Sequence, residues 1–162
     1  MKLHKKILLL SVLLFAMALP AWAQVEMAAM RTVGIECGVC AAVTEVGLLR
    51  IEGVDKVTIS RSNESVMIAY SPDARFQPEE IRKVLAPLFV DIKLFQVRAR
   101  GRVEDQGGKR FFVSGENLFV LATPAGNAPR VSSNAPVVIE AVLNDQLDPM
   151  ELTVLTVKTV AP

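Results

Sequence analysis

A strand–turn–strand run held between two helical patterns constrains this chain more than any other feature. In Val54 to Arg61, Val54, Val57 and Ile59 stand apolar among polar neighbours. Ser62-Asn63-Glu64 is turn chemistry and Ser65 to Tyr70 is a second strand, so the pair reads as a hairpin. Upstream, Val39, Val43, Val46 and Leu49/Ile51 recur every three or four residues from Gly38, and Gly53 ends that helix. Downstream, Pro78-Glu79-Glu80 opens another, with proline in the first turn and carboxylates at the positive end of the helix dipole. Its buried face should be Ile81, Val84, Leu85 and Leu88. Strand-like segments lie outside both helices, at Arg31 to Ile35 and from Asp91 to Phe95. The order over residues 31–95 is β-α-β-β-α-β. It predicts an α+β protein whose N-terminal domain is ferredoxin-like, with both helices on one face of an antiparallel sheet. The expected core residues include Val43, Val46, Val57, Ile59, Met67, Ile81 and Leu85.

The chain beyond residue 96 differs in kind. Residues 97–103, 111–113, 118–121, 137–143 and 152–158 read as short strands, and no helical period appears. They predict a small all-β, barrel-like C-terminal domain over residues 96–162, with Phe111, Phe112 and Phe119 in its core. Thr123 to Pro136, rich in Pro, Ala, Asn and Ser, is expected to be an exposed loop. Ile92 to Val103 holds no proline and only Gly101, so the last strand of the first domain is expected to run into the first strand of the second.

The N-terminus reads as an export signal over residues 1–23. Lys2, Lys5 and Lys6 precede the thirteen-residue apolar run Ile7 to Leu19, and Ala21-Trp22-Ala23 supplies a small-x-small cleavage site. That run is short of the about 20 residues that span a bilayer, so no membrane anchor is expected. Residues 24–30 read as a short leader. The exported protein is expected in the periplasm or outside the cell. Removing three lysines leaves 15 cationic side chains against 17 anionic ones. With no basic stripe, nucleic acid is a poor candidate partner.

Chemistry then narrows to Cys37-Gly38-Val39-Cys40. These are the only cysteines, and the single histidine, His4, falls in the export signal. Without imidazole, Ser-His-Asp and Cys-His catalysis and His-ligated metal sites are excluded. No catalytic carboxylate pair stands out, so no enzyme activity is expected; Asp145, Asp148 and Glu151 fall in a turn. A Cys-x-x-Cys entering a helix sets Cys40 at the positive end of the dipole, which favours thiolate. Two thiolates suit Cu(I) or Hg(II) better than Zn(II), which takes four ligands, although Zn(II) stays open. Two other readings stay open. One is a structural disulfide, favoured by export but closing only a short loop. The other is a periplasmic thiol–disulfide redox protein using the same pair. Met27 and Met30 are soft donors upstream and read as incidental.

Gly34-Ile35-Glu36-Cys37-Gly38-Val39-Cys40, the following helix, Gly53-Val54-Asp55-Lys56-Val57, the hairpin and Pro78-Glu79-Glu80-Ile81 together resemble the heavy-metal-associated domain. That domain occurs in copper chaperones, metal-exporting P-type ATPases and the periplasmic mercury-binding protein. The resemblance covers about Thr32 to Leu94. It implies that Cys37 and Cys40 are metal ligands for one soft ion. It also implies that the ion is passed to a metal-transporting membrane protein or another metallochaperone. Three positions depart from the family. Ile35 stands where a buried Met is usual, and Glu36 stands where copper-binding members have Thr and zinc-exporting members a ligating Asp. Pro87-Leu88-Phe89-Val90 lacks the usual glycine before its aromatic residue.

Overall fold

The computed structural model describes residues 24–123, 129, 131–132 and 135–160. The expected export signal lies outside the described residues, as does part of the 123–136 loop. Among these residues, eight strands and two helices follow in the order β1 (Gln24–Val33), α1 (Gly38–Leu49), β2 (Val54–Ser60), β3 (Ser65–Tyr70), α2 (Pro78–Leu85), a short 3-10 turn (Ala86–Leu88), β4 (Asp91–Gln106), β5 (Lys109–Ser114), β6 (Asn117–Leu121), β7 (Val137–Asn144) and β8 (Glu151–Thr159). The fold is mixed α+β, and all eight strands belong to one sheet.

In the N-terminal half the strand order is β2-β3-β1-β4, every pair antiparallel, as the ferredoxin-like reading requires. The leader expectation for residues 24–30 is corrected: Gln24 to Met30 is the first part of β1, with Val25, Ala28 and Met30 buried. A register shift between Val25 and Met27 moves the inward positions from 25 to 28, which hides the alternation expected of a strand. Burial of Met30 also takes it away from any role as a surface thioether donor.

Two further core expectations are corrected. Met67 is exposed, while Val66, Ile68 and Tyr70 face inward. Because Ser65 to Tyr70 is apolar at both phases, only the pairing Ile59↔Val66 and Val57↔Ile68 decides which face is buried. Helix α1 buries Thr44 and Leu48, leaving Val43 and Val46 exposed. Its side chains are apolar on every face, so the three-to-four spacing gives a helix without saying which side packs. Helix α2 buries Ile81 and Leu85 as expected, with Pro78, while Val84 and Leu88 of the expected face are only half-buried.

Strand β4 runs unbroken through the expected boundary at residue 95/96, with Phe95, Val97, Ala99, Gly101 and Val103 all buried on one phase. Along one edge it pairs with β1 up to Arg100 and then with β5 from Arg102; along the other, residues 96–101 pair with β7. The pairings β4–β5–β6–β8–β7–β4 therefore run as a ring, whose first strand also belongs to the N-terminal sheet. Gly101 sits where β4 changes neighbours. A Cβ there would meet the Val113 carbonyl and lie 2.8 Å from the Phe112 ring, so only glycine lets that ring close over the strand. Phe112, Phe119, Ile139 and Leu152 are fully buried, and Phe111 is half-buried.

One core spans both halves. Phe76, in the loop before α2, packs edge-on to Tyr70 (centroids 5.7 Å apart) and Phe95 (6.2 Å), and lies 6.4 Å from Phe119 of β6. A second, part-buried tie crosses between the halves. Arg82 of α2 donates two hydrogen bonds to Asp145, in the turn after β7, at 2.5 and 2.7 Å.

Candidate metal centre

The segment from β1 into α1 delivers two cysteines to the N-terminal end of α1. Gly34 makes the exit from β1 with φ of +110°, a conformation side chains rarely adopt. A Cβ on it would lie 2.5 Å from the Phe89 carbonyl oxygen, so the cysteine loop rests directly on the loop that follows α2. Ile35 is buried beneath it, as the resemblance implies for that position. Phe89 itself adopts a left-handed backbone (φ 56°) and, at 89%, is the most exposed large apolar side chain among the described residues. Pro87-Leu88-Phe89-Val90 thus makes its turn without a glycine, on the left-handed backbone of Phe89 itself.

Cys37 is the N-cap of α1, with extended backbone, and its carbonyl accepts the first helical hydrogen bond from Ala41 N–H at 3.0 Å. Its Sγ accepts from the Cys40 N–H at 2.9 Å, taking the place that a Ser or Asp oxygen fills in ordinary caps. Sequence reasoning set Cys40 at the positive end of the dipole, and it stands there in the first turn of α1; the geometry adds Cys37 as the cap of that end. Cys37 is exposed and Cys40 half-buried, with Cα atoms 5.1 Å apart, and the two sulfurs are joined as a disulfide. The spacing lies within the range that bridged cysteines adopt.

Glu36 is exposed and precedes the cap. Among the described residues, no group of three or more His, Cys, Asp or Glu side chains is gathered as a metal cage would be, so Glu36 does not join the two cysteines in such a set. Asp145, Asp148 and Glu151 also form none, and Asp145 is committed to Arg82.

Residues 30–88 match the heavy-metal-associated domain. The matched segment takes in β1 from Met30, both helices, the hairpin and the cysteine loop, and stops before β4. Among solved structures, a CopZ metallochaperone is 21% identical over 41% of this chain and 97% of its own length, with a TM-score of 0.38. No curated protein matches the chain.

The structure adds one feature of this domain that periodicity did not reveal. Val39, Val43, Val46 and Leu49 form an exposed stripe along α1, starting beside the cysteines. The signal was present in the sequence as a helix apolar on all sides, which a helix packed by one face does not need.

Proposed function

We propose that this chain is an exported heavy-metal-binding protein that holds one soft ion, Cu(I) or Hg(II), between Cys37 and Cys40. The ion leaves by thiolate exchange to a metal-transporting membrane protein or another metallochaperone. The observation that carries this reading is the helix cap made of sulfur: the surface Sγ of Cys37 at the N-terminus of α1, disulfide-bonded in this structure, receives a backbone N–H at 2.9 Å. That hydrogen bond and the dipole favour the charged sulfur, which is the form that binds metal. Two thiolates and no imidazole give a soft, low-coordinate donor set, suited to near-linear binding and admitting Zn(II) only with added ligands. An incoming thiolate then adds to the ion before one of the two leaves.

The disulfide has to accept two electrons and two protons before loading. Anaerobic titration of the reduced protein, read by native mass spectrometry, should give one Cu(I) or Hg(II) per chain. The oxidised protein and the double variant Cys37→Ser/Cys40→Ser should bind neither. Undiminished affinity in the double variant would sink the reading. A thiol–disulfide redox protein, the second reading that the bonded sulfurs favour, would instead reduce or oxidise a model dithiol substrate catalytically.

A further inference from the structure

The outward stripe of α1 has no part in the chain's own packing. Val39 is 73% exposed, Val43 48% and Val46 51%, while the same helix turns Thr44 and Leu48 to the core on its opposite side. Beside the stripe, α1 and α2 enclose an open groove of about 410 Å³, lined by Ala42, Val43, Val46, Gly47, Val84 and Leu88, with Arg50 at its end. Residues 39, 43, 46 and 50 follow the four-three-four spacing of a helix-packing seam.

The seam matches its own reverse. Laid antiparallel on a second copy, Val43 faces Val46 and Val39 faces Arg50, while Gly47 stays covered by Val84 of α2 in its own chain. The charges match as well. Glu36 and Arg50 are exposed, stand at opposite ends of α1, and form no ion pair within the chain among the described residues. Reversal brings each within reach of the other, twice per pair, and opposes the two helix dipoles. We infer that α1 is the contact of a symmetric homodimer, in which two copies pack their Val39–Val43–Val46–Arg50 seams antiparallel.

In this arrangement the two cysteine loops point away from each other. Cys40 of one copy lies about 14 Å along the helix axis from Cys40 of the other, at 1.5 Å per residue. No ion is shared between them, so association needs neither metal nor free thiol. Arg50 of each copy comes to rest near the Cys37–Cys40 loop of the other, adding a cation beside the thiolates that the reduced pair would carry.

The test uses purified, oxidised, metal-free protein, in which thiolate bridging is absent, so its outcome is separate from that of metal binding. Sedimentation velocity should show a concentration-dependent monomer–dimer equilibrium. Val43→Glu/Val46→Glu and Val43→Lys/Val46→Lys should each raise the dissociation constant at least about tenfold, because like charges then face each other across the seam. Both variants should keep the wild-type thermal midpoint at low concentration, since these side chains are exposed in the single chain. Mixing the two in equal amounts should restore the dimer as a mixed species. A wild-type protein that is monomeric up to millimolar concentration overturns the inference, whether or not the variants fold. So does a dimer that both variants leave intact, a dimer seen only with added metal, or a mixture that stays monomeric.

Discussion

Helices α1 and α2 touch through Gly47 and Val84 and belong to the same domain, yet they spend their surfaces differently. Helix α2 is amphipathic: Pro78, Ile81 and Leu85 go inward, while Glu79 and Glu80 occupy its first turn and Arg82 and Lys83 its last. Its dipole is met at both ends by its own charges. Helix α1 has no acidic residue in its first turn and no basic one in its last. Its positive end is left to the two cysteines, and its outward face is left to valines. The contrast separates a helix whose charges serve the fold from one whose head is left to sulfur. Charge at the N-terminus of α1 would repel a thiolate; at α2 there is nothing to repel.

The largest expected effect breaks the comparison in terms of stability. Leu48→Ala in α1 and Ile81→Ala in α2 should each cost about 2–5 kcal/mol, since both side chains are fully buried and neither site can collapse freely. Val43→Ala and Val46→Ala should change stability by less than about 0.5 kcal/mol, as exposed positions do. Urea unfolding of low-concentration samples measures all four. A loss above 1 kcal/mol at Val43 would mean that the stripe packs within the chain after all.

Particular residues explain how much of this was legible in the sequence. Phe111, Phe112 and Phe119 were all expected in the core as large apolar side chains; Phe112 and Phe119 are fully buried and Phe111 only half, because neighbours on a strand point to opposite faces. Periodicity placed Ile81 and Leu85, whose neighbours Arg82 and Lys83 mark the outer face. It could not place Val43 or Met67, because α1 and β3 are apolar at both phases and only the partners choose between them. It missed residues 24–30 because the bulge at Val25/Met27 breaks the alternation in β1. The cysteine pair was legible from spacing alone. Which sulfur caps the helix was not, since that depends on the turn set by Gly34 against Phe89.

A smaller effect lies in the tie that α2 makes and α1 lacks. The Asp145 carboxylate is only 5% exposed and is held by the Arg82 guanidinium at 2.5 Å. Burial pushes its pKa up, but the Arg82 hydrogen bonds and charge outweigh burial and hold it below the usual Asp value of 3.8. A depressed pKa in the folded state means that the pair stabilises fully above about pH 4, and that this contribution is lost as pH falls through the folded value. Arg82→Ala should cost about 1–2 kcal/mol at pH 7, because it strands a carboxylate while Arg82 itself is partly solvated. The variant should lose the part of the acid-induced destabilisation that Asp145 contributes. Thermal midpoints between pH 2.5 and 7 would show it as a smaller gap between variant and wild type at the acid end. A constant gap across that range would mean that the pair's charge contributes nothing and that only packing was lost.

The smallest expected effect concerns the one carboxylate at the head of α1. Glu36 precedes the cap, is exposed, and joins no three-donor group with Cys37 and Cys40. If it stands outside the coordination sphere, Glu36→Thr should change affinity for Cu(I) and for Zn(II) or Cd(II) alike, and by less than about threefold, the size of a screened surface charge beside a metal. An oxygen donor would act unequally, because harder ions depend on it and a soft linear ion does not. Competition titrations of reduced, dilute protein against chelators for each ion separate the two cases. A loss of tenfold or more for Zn(II) or Cd(II), with Cu(I) unchanged, would bring Glu36 into the site as a third ligand. It would also move α1 closer to α2, since a carboxylate would then be working at the N-terminus of both helices. Equal and small changes would leave the head of α1 to sulfur alone, which is the outcome the geometry of Cys37 and Cys40 leads us to expect.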